Sequence, residues 1–319
     1  MFSNEDASVV IRRATVAERP AALELVLSAQ PADHRQEQIA EWLAEAENAK
    51  SLAGLWVADR GGQLLGASLA RCQPGKSATV WPAQVIDVSL ATTLAPKLLA
   101  AVMASLAAED VRSVQALLPA GIGSEHDQLS AAGFDCVAEL LLQVCFLDKR
   151  SAVDNVPPGA GSGLTFVPYG SQFRSRLCGI VQATYQGSLD CPTLDRARDV
   201  HDVLEGYAAH GDGGTSGWFL VERSGVDAGC LLLSHDRRLG YTELVYMGLV
   251  PEARGHGLSR ELVRYAQELA RNEGLLRMSL AVDAANSPAI AAYQRGGFIT
   301  WEKKGAYFRR IEPVAPSRK

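Results

Sequence analysis

The sequence predicts an α/β protein built from two similar domains, each a mixed, mostly antiparallel sheet flanked by helices. Three observations carry that prediction. Segments with strand and helix periodicity alternate along the chain. The length of 319 residues suits two domains of ordinary size. Landmarks also recur at a near-constant offset. Leu55–Arg60 leading to Gly66 is echoed by Phe219–Arg223 leading to Gly229, with 163 residues between Arg60 and Arg223 and between Gly66 and Gly229. Ser130-Ala131-Ala132-Gly133-Phe134 returns as Gln294-Arg295-Gly296-Gly297-Phe298, 164 residues on. Matching landmarks in the same order point to a duplicated domain.

Composition narrows the class. Apolar residues make up 47% and charged residues 21%, as in a globular protein. A net charge of −5 argues against a nucleic-acid partner. No run of apolar residues is expected to span a bilayer, so no membrane partner is expected. The start, MFSNEDASVV, lacks the basic and apolar regions of a secretory signal. Cys72, Cys136, Cys145, Cys178, Cys191 and Cys230 are scattered with no C-x-x-C pair. That pattern suits buried thiols in a reducing, cytoplasmic setting and no metal site.

Residues 149–163, KRSAVDNVPPGAGSG, read as linker. The expected division is 1–150, a linker over 151–163, and 164–319. In the second part a strand over 164–168 precedes helices over 172–185 and 194–209. A hairpin follows over 217–223 and 227–235, turning near Ser224-Gly225, then a strand over 241–250. Residues 257–273 place Leu258, Leu262, Val263, Ala266, Leu269 and Ala270 on one helical face. A strand over 276–282 leads to Ser287 as N-cap and Pro288 as first residue of a short helix that stops at Gly296-Gly297. Strands over 298–303 and 305–311 close the domain.

The most informative stretch is the turn Arg254-Gly255-His256-Gly257-Leu258-Ser259, between the strand 241–250 and the helix 257–273. Glycines there let the backbone approach an anion, and the helix start adds unpaired N–H groups and the positive end of the dipole. Arg254 could pin a phosphate oxygen, whereas His256 reads as a solvated loop residue. The chain shows no G-x-x-x-x-G-K-[ST] loop, no complete G-x-G-x-x-G and no G-x-S-x-G elbow, which weakens other nucleotide enzymes and hydrolases.

Residues 164–311, and 241–298 most specifically, resemble the acyl-CoA-binding core of the GNAT acyltransferases. The family's Arg/Gln-x-x-Gly-x-Gly/Ala turn is matched at Arg254 and Gly257, with Ser259 at the last small position. The resemblance implies acetyl-CoA, or another acyl-CoA, as co-substrate. Its diphosphate would lie on the amides of Arg254, Gly255, His256, Gly257, Leu258 and Ser259. Its pantetheine arm would lie along Met247, Gly248, Leu249 and Val250 as an added strand, near Asn286. Main-chain N–H groups around Met247 and Gly248 would face the thioester carbonyl. The resemblance further implies Tyr293 as the acid to the leaving thiolate and Glu243 as a base acting through water. Read from the residues alone, Tyr293 could equally pack under the sheet and Glu243 could be a solvated strand-end carboxylate. In simple alternation Glu243, Val245, Met247 and Leu249 share a face; a bulge would change that.

The implied reaction is acetyl transfer to a primary amine, by direct attack in a ternary complex. The alternative is a non-catalytic acyl-CoA-binding or sensor protein of the same fold. Residues 183–212 should cover an acceptor that is a small-molecule or peptide amine. Their carboxylates Asp190, Asp195, Asp199, Asp202 and Glu205 would favour a cation, or else form a solvated helix face. Tyr185 and Asp190 are the candidate substrate contacts, with Cys191 beside them.

The first half offers less. Leu129 falls where Tyr293 is expected and Ile122 where Asn286 is expected. The strand-like run Val85–Leu90 leads into Ala91–Pro96 with no glycine. The first domain is therefore expected to keep the fold without the reaction, as in tandem members of the family.

Overall fold

The computed structural model describes residues 8–48, 52–147 and 163–311. The expected linker lies outside them apart from Gly163. The chain forms two compact units, one of Met1–Cys136 with Ala306–Lys319, the other of Val137–Gly305. The units are interleaved in sequence, so the strand centred on 140 belongs to the second unit although it precedes the linker.

The first unit contains β1 (Val10–Arg13), α1 (Arg19–Val26), α2 (Ala32–Asn48), β2 (Leu55–Arg60), β3 (Gln63–Gln73), β4 (Ser77–Val85), α3 (Val88–Leu106), β5 (Ser113–Pro119) and α4 (Ser124–Ala131). Its sheet runs β1-β2-β3-β4-β5. All pairs whose register is defined are antiparallel except β4 with β5. The strand-like run Val85–Leu90 is corrected here: β4 ends at Val85 and a helix starts at Val88. Asp87 accepts a bond from the Ser89 N–H and caps that helix, and this local bond outweighs the β-branched pattern. By length and composition α3 could cross a membrane, contrary to the expectation that no such run exists. Its stripe Leu94, Leu98, Val102 and Leu106 is nonetheless buried in the unit's core.

β6 (Asp135–Phe146) enters the second unit, followed by β7 (Leu164–Pro168), α5 (Arg174–Tyr185), α6 (Pro192–Ala197), α7 (Val200–Ala208), β8 (Trp218–Arg223), β9 (Val226–Asp236), β10 (Tyr241–Leu249), α8 (Leu258–Asn272), β11 (Arg277–Asp283), α9 (Ser287–Arg295) and β12 (Ile299–Arg310). The order is β6-β11-β10-β9-β8-β7, with only β10 and β11 parallel among these pairs. β6 lies antiparallel to β11, with Leu140 opposite Asp283 and Phe146 opposite Arg277. Beyond Gly305 the end of β12 passes into the first unit, where Tyr307 joins the core around Leu129 and Phe134.

Three boundaries differ from the periodicity. The helix expected over 194–209 is two helices, because Arg198 is extended and Asp199 caps α7 by accepting from the His201 N–H. The N-cap of α9 is Asn286, whose Oδ1 accepts from the Ala289 N–H at 3.3 Å, so Ser287 is the first helical residue. The strands expected over 298–303 and 305–311 are one strand through Gly305.

Two cores sandwich the second unit's sheet. Leu258, Leu262, Val263, Ala266 and Ala270 of α8 pack with Leu231, Leu233 and Leu244 on one face. Leu177, Val181, Val200 and Leu204 of α5 and α7 cover Cys230 and Leu232 on the other. Each fully buried leucine contributes about 1.5–3 kcal/mol. Gln267 is the buried polar residue of α8, and its amide donates to the Gly296 carbonyl at 2.6 Å, tying the end of α9 to α8.

Candidate functional site

β10 is where the second unit's sheet opens. Its pairing with β11 is limited to Thr242↔Met278 and Glu243↔Ser279, after which the two parallel strands part. Its register against β9 shifts between Leu244 and Tyr246, so Val245 is a bulge. Burial alternates as far as Leu244, and every residue from Val245 to Leu249 is then half-buried. This segment keeps β9 on one side and leaves its other edge available for an added strand.

The bulge also corrects the simple alternation. Leu244, Met247 and Leu249 lie opposite Leu233, Leu231 and Gly229, while Glu243, Tyr246 and Gly248 lie opposite Ser234, Leu232 and Cys230. Glu243 therefore faces α5 and α7, not the α8 side shared by Met247 and Leu249. One extra residue moves every side chain beyond it to the other face. Met247, Leu249, Val250 and Leu258 all pack in or against the α8-side core. Gly248 has a packing reason: a Cβ there would lie 2.8 Å from the Thr184 side chain.

A turn of 3₁₀ helix, Pro251–Ala253, carries β10 into the glycine bend. Gly255 (φ 77°) and Gly257 (φ 71°) are left-handed, and a Cβ on either would meet nothing within 4 Å. Their glycine identity is thus a demand of the backbone, not of crowding. Gly257 begins α8 with no side-chain cap. Gly255, His256 and Gly257 are exposed and Ser259 is half-buried. The result is a bare helix N-terminus on an exposed bend, which suits a diphosphate. Arg254 is placed otherwise than expected. Its Nε donates to the Leu249 carbonyl (3.0 Å), one terminal nitrogen to Gln186 (2.6 Å) and the other to Thr184 (2.7 Å). The guanidinium clamps the end of β10 to the end of α5.

α9 carries Tyr293 in the α8-side core and is capped by Asn286. Tyr293 is buried and meets Phe298 edge-on. Burial, together with the charge of Asp190, raises its phenol above the ordinary tyrosine value. Two carboxylates tie the end of β11 to the 190–191 turn: Asp190 Oδ1 accepts from the Asp283 N–H (2.9 Å), and Asp283 Oδ2 from the Cys191 N–H (3.1 Å). Burial raises the Asp190 carboxyl, the neighbouring charge of Asp283 adds to that, and hydrogen bonds from the Asp283 backbone and the Asn286 side chain oppose it. Cys191 is held in a left-handed conformation, φ 46°, at the start of α6. Burial, reinforced by Asp190 and Asp283, raises its thiol, so it stays protonated.

The face of β10 that carries Glu243 is lined by tyrosines. Tyr246 stacks on Tyr207 at 5.8 Å and meets Tyr185 edge-on at 6.3 Å. Thr184 donates to the Val181 carbonyl, which leaves the Tyr246 hydroxyl to donate to Thr184 at 2.6 Å. The Tyr185 hydroxyl and Arg198 Nε are buried with no hydrogen-bond partner among the described residues. Asp195 stands between them electrostatically: burial raises its carboxyl to about 7, against the pull of Arg198 and with the push of Asp190. Of the acidic stretch, Asp190 and Asp195 turn inward, while Asp199 caps α7 and Glu205 reaches Arg174 at 3.5 Å.

His210 escaped the sequence reading. Its Nδ1 lies 3.0 Å from Glu243 Oε2. The one available signal was a histidine closing the 183–212 stretch, and strand spacing gives no hint that it meets β10.

The first unit repeats the opening and closes it. β4 pairs with β5 from Ser77 to Thr79, and its register shifts against β3 a few residues further on. Gln128 of α4 then donates its amide N–H to the Ala83 carbonyl (3.1 Å) and accepts from the Ala83 N–H (3.0 Å), as a paired strand would. Beside it, the Glu125 carboxylate accepts from the Gln84 side-chain amide. Asp87 places a carboxylate at the helix start where the second unit has bare glycine.

Comparison with known proteins bears on the family and the fold. A family model described as acetyltransferase (GNAT) family matches residues 181–298. A mycothiol acetyltransferase of Streptomyces bingchenggensis is 41% identical over 88 residues, 27% of this chain and 28% of that protein. One from Thermobispora bispora is 34% identical over 101 residues, 30% of this chain and 34% of its own length. The match thus spans about a third or less of these curated relatives. Among solved structures, a GCN5-related N-acetyltransferase from Sphaerobacter thermophilus superposes with a TM-score of 0.63 at 16% identity, covering 96% of this chain and 97% of that one. A tandem GNAT protein from the clavulanic acid biosynthesis pathway gives 0.53 at 17% identity, covering 97% and 100%. These two are likenesses of fold, and they bear out the expected tandem α/β architecture. Residues 181–298 thus match the GNAT acetyltransferase family, in a chain with the fold of the tandem GNAT proteins.

Proposed function

We propose that the protein is an N-acetyltransferase whose second unit carries acetyl from acetyl-CoA to a primary amine, while the first unit is a closed copy without the reaction. The observation that carries the reading is the open edge of β10 over Val245–Leu249, running directly into the bare start of α8. When bound, acetyl-CoA supplies an acyl group already activated as a thioester. Amides of Gly255 to Ser259 hold the diphosphate by hydrogen bonds and the helix dipole. Main-chain groups of Met247 to Val250 take the pantetheine arm as an added strand, with Asn286 at its side.

Glu243 lies on the strand face covered by α5 and α7, and takes the amine's proton through water. Tyr293 serves the departing sulfur. Its raised phenol stays protonated at neutral pH, the state a donor needs; because transfer to an alkyl thiolate is then uphill, it first supplies a hydrogen bond. The tyrosines with Asp190 and Asp195 form the acceptor side, suited to a cation against aromatic rings and carboxylates. The name of the curated relatives makes mycothiol acetylation the first activity to test.

Loss of the acetyl-CoA thioester, measured with the acceptor of the mycothiol acetyltransferases first and then with glucosamine, spermidine and peptide amines, tests the reading. Tyr293→Phe and Glu243→Gln should each lower kcat by 10-fold or more. Rates unchanged in both would remove the assigned roles. Binding of acetyl-CoA with no transfer to any acceptor would favour a sensor.

A further inference from the structure

We infer that His210 is the group that accepts the amine's proton, with Glu243 as the carboxylate that orients it. The inference rests on the acetyltransferase reading above and sharpens its base.

His210 is held at three points, two on the ring and one on its backbone. Its Nδ1 meets Glu243 Oε2 at 3.0 Å. Its ring stands edge-on to Tyr207, with centroids 6.5 Å apart and planes at 81°. Its carbonyl accepts from the buried Ser234 hydroxyl at 2.6 Å. Gly211 follows with φ 57°, and a Cβ there would lie 2.4 Å from the His235 carbonyl, which itself accepts from the Asp212 N–H at 2.7 Å. A loop that merely exposed a histidine would not need this bracing. The pair has the geometry by which a carboxylate fixes an imidazole tautomer: Nδ1–H donates to Glu243 and leaves the Nε2 lone pair available.

The titratable groups around the ring are few. β10 contributes Glu243 and α7 contributes Tyr207. Asp212, two residues on, is engaged by Arg237 at 2.8 Å, and burial keeps His235 of β9 neutral. The hydrogen bond to Glu243 raises the imidazole above its ordinary value despite burial, so His210 is a stronger base than a free histidine and works as the neutral form above that raised value.

The protons balance as follows. An ammonium acceptor gives one proton to His210 Nε2, and Glu243 stabilises the resulting imidazolium through Nδ1–H. The freed nitrogen lone pair bonds to the acyl carbon as the carbon–sulfur bond breaks, its electron pair leaving on sulfur. Tyr293 first hydrogen-bonds that sulfur and passes its proton on as the second surplus proton of the nitrogen replaces it on the phenol. His210, half exposed, returns its proton to water.

The test uses the full-length protein. In His210→Gln, kcat with acetyl-CoA and glucosamine, or whichever amine of the panel reacts, should fall about 100-fold at neutral pH. The acidic limb of the pH–rate profile should disappear, and added imidazole should partly restore the rate in His210→Gly. Independently of turnover, imidazole ¹⁵N NMR should show the Nδ1–H tautomer and a raised titration that drops in Glu243→Gln. A rate within 3-fold of wild type in His210→Gln, or an Nε2–H tautomer with no response to Glu243→Gln, overturns the inference and returns the base role to Glu243 alone. Failure of the parent reading looks different: the wild type would neither bind nor consume acetyl-CoA.

Discussion

Replacing Arg254 with alanine should weaken the second unit even when no ligand is present. The side chain makes three bonds to main-chain carbonyls, at 3.0 Å to Leu249, 2.6 Å to Gln186 and 2.7 Å to Thr184. Hydrogen bonds from a charged donor contribute about 1.5–3 kcal/mol each. Arg254 is half-buried and water can reach the exposed Gln186, so the lower end applies and one bond is largely replaced. The expected loss is about 3 kcal/mol, or about 6–12 °C in Tm. Urea unfolding of the ligand-free protein reads it as a lower midpoint at constant slope. Arg254→Lys, which can keep at most one or two of the three directions, should fall between. A loss under about 0.5 kcal/mol in Arg254→Ala would show that the clamp does not hold the strand to the helix. A phosphate ligand would instead show its effect mainly in the salt dependence of acetyl-CoA binding.

Other outcomes follow from single sites. Gly257→Ala meets no neighbour but forces a Cβ into a left-handed backbone, so it should cost about 1–2 kcal/mol in urea and weaken acetyl-CoA binding in calorimetry. Asp195→Asn should gain on the wild type as pH rises. A carboxyl raised from 3.8 to about 7 stabilises the fold fully below about 3.8, and that contribution is lost as pH passes 7, so the two melting curves should diverge between those values. Gln128→Ala removes both bonds to buried Ala83 and should cost about 2 kcal/mol in thermal unfolding. Calorimetry should still find one acetyl-CoA per chain, because the Asp87 carboxylate remains at the helix start.

The glycine bend, the amphipathic α8 and the β8–β9 hairpin were legible because each is written in local periodicity or backbone demand. What was not legible depends on partners distant in sequence. The bulge at Val245 inserts one residue without any composition signal, yet it decides which face carries Glu243. Arg254 reads as a phosphate ligand until the carbonyls of Thr184 and Gln186 are known to lie beside it. His210 gains meaning only from Glu243 across the sheet face. Asn286 and Ser287 are both good caps, and one rotation of the backbone chooses between them.

The interleaving of β6 and the end of β12 has a consequence for synthesis. Residues 137–146 leave the ribosome early, but their partner β11 is not made until residues 277–283. The N-terminal unit waits longer still, since Tyr307 fills its core. Neither unit can be finished before nearly the whole polypeptide exists, and a truncation just ahead of Ala306 would injure the part of the protein translated first.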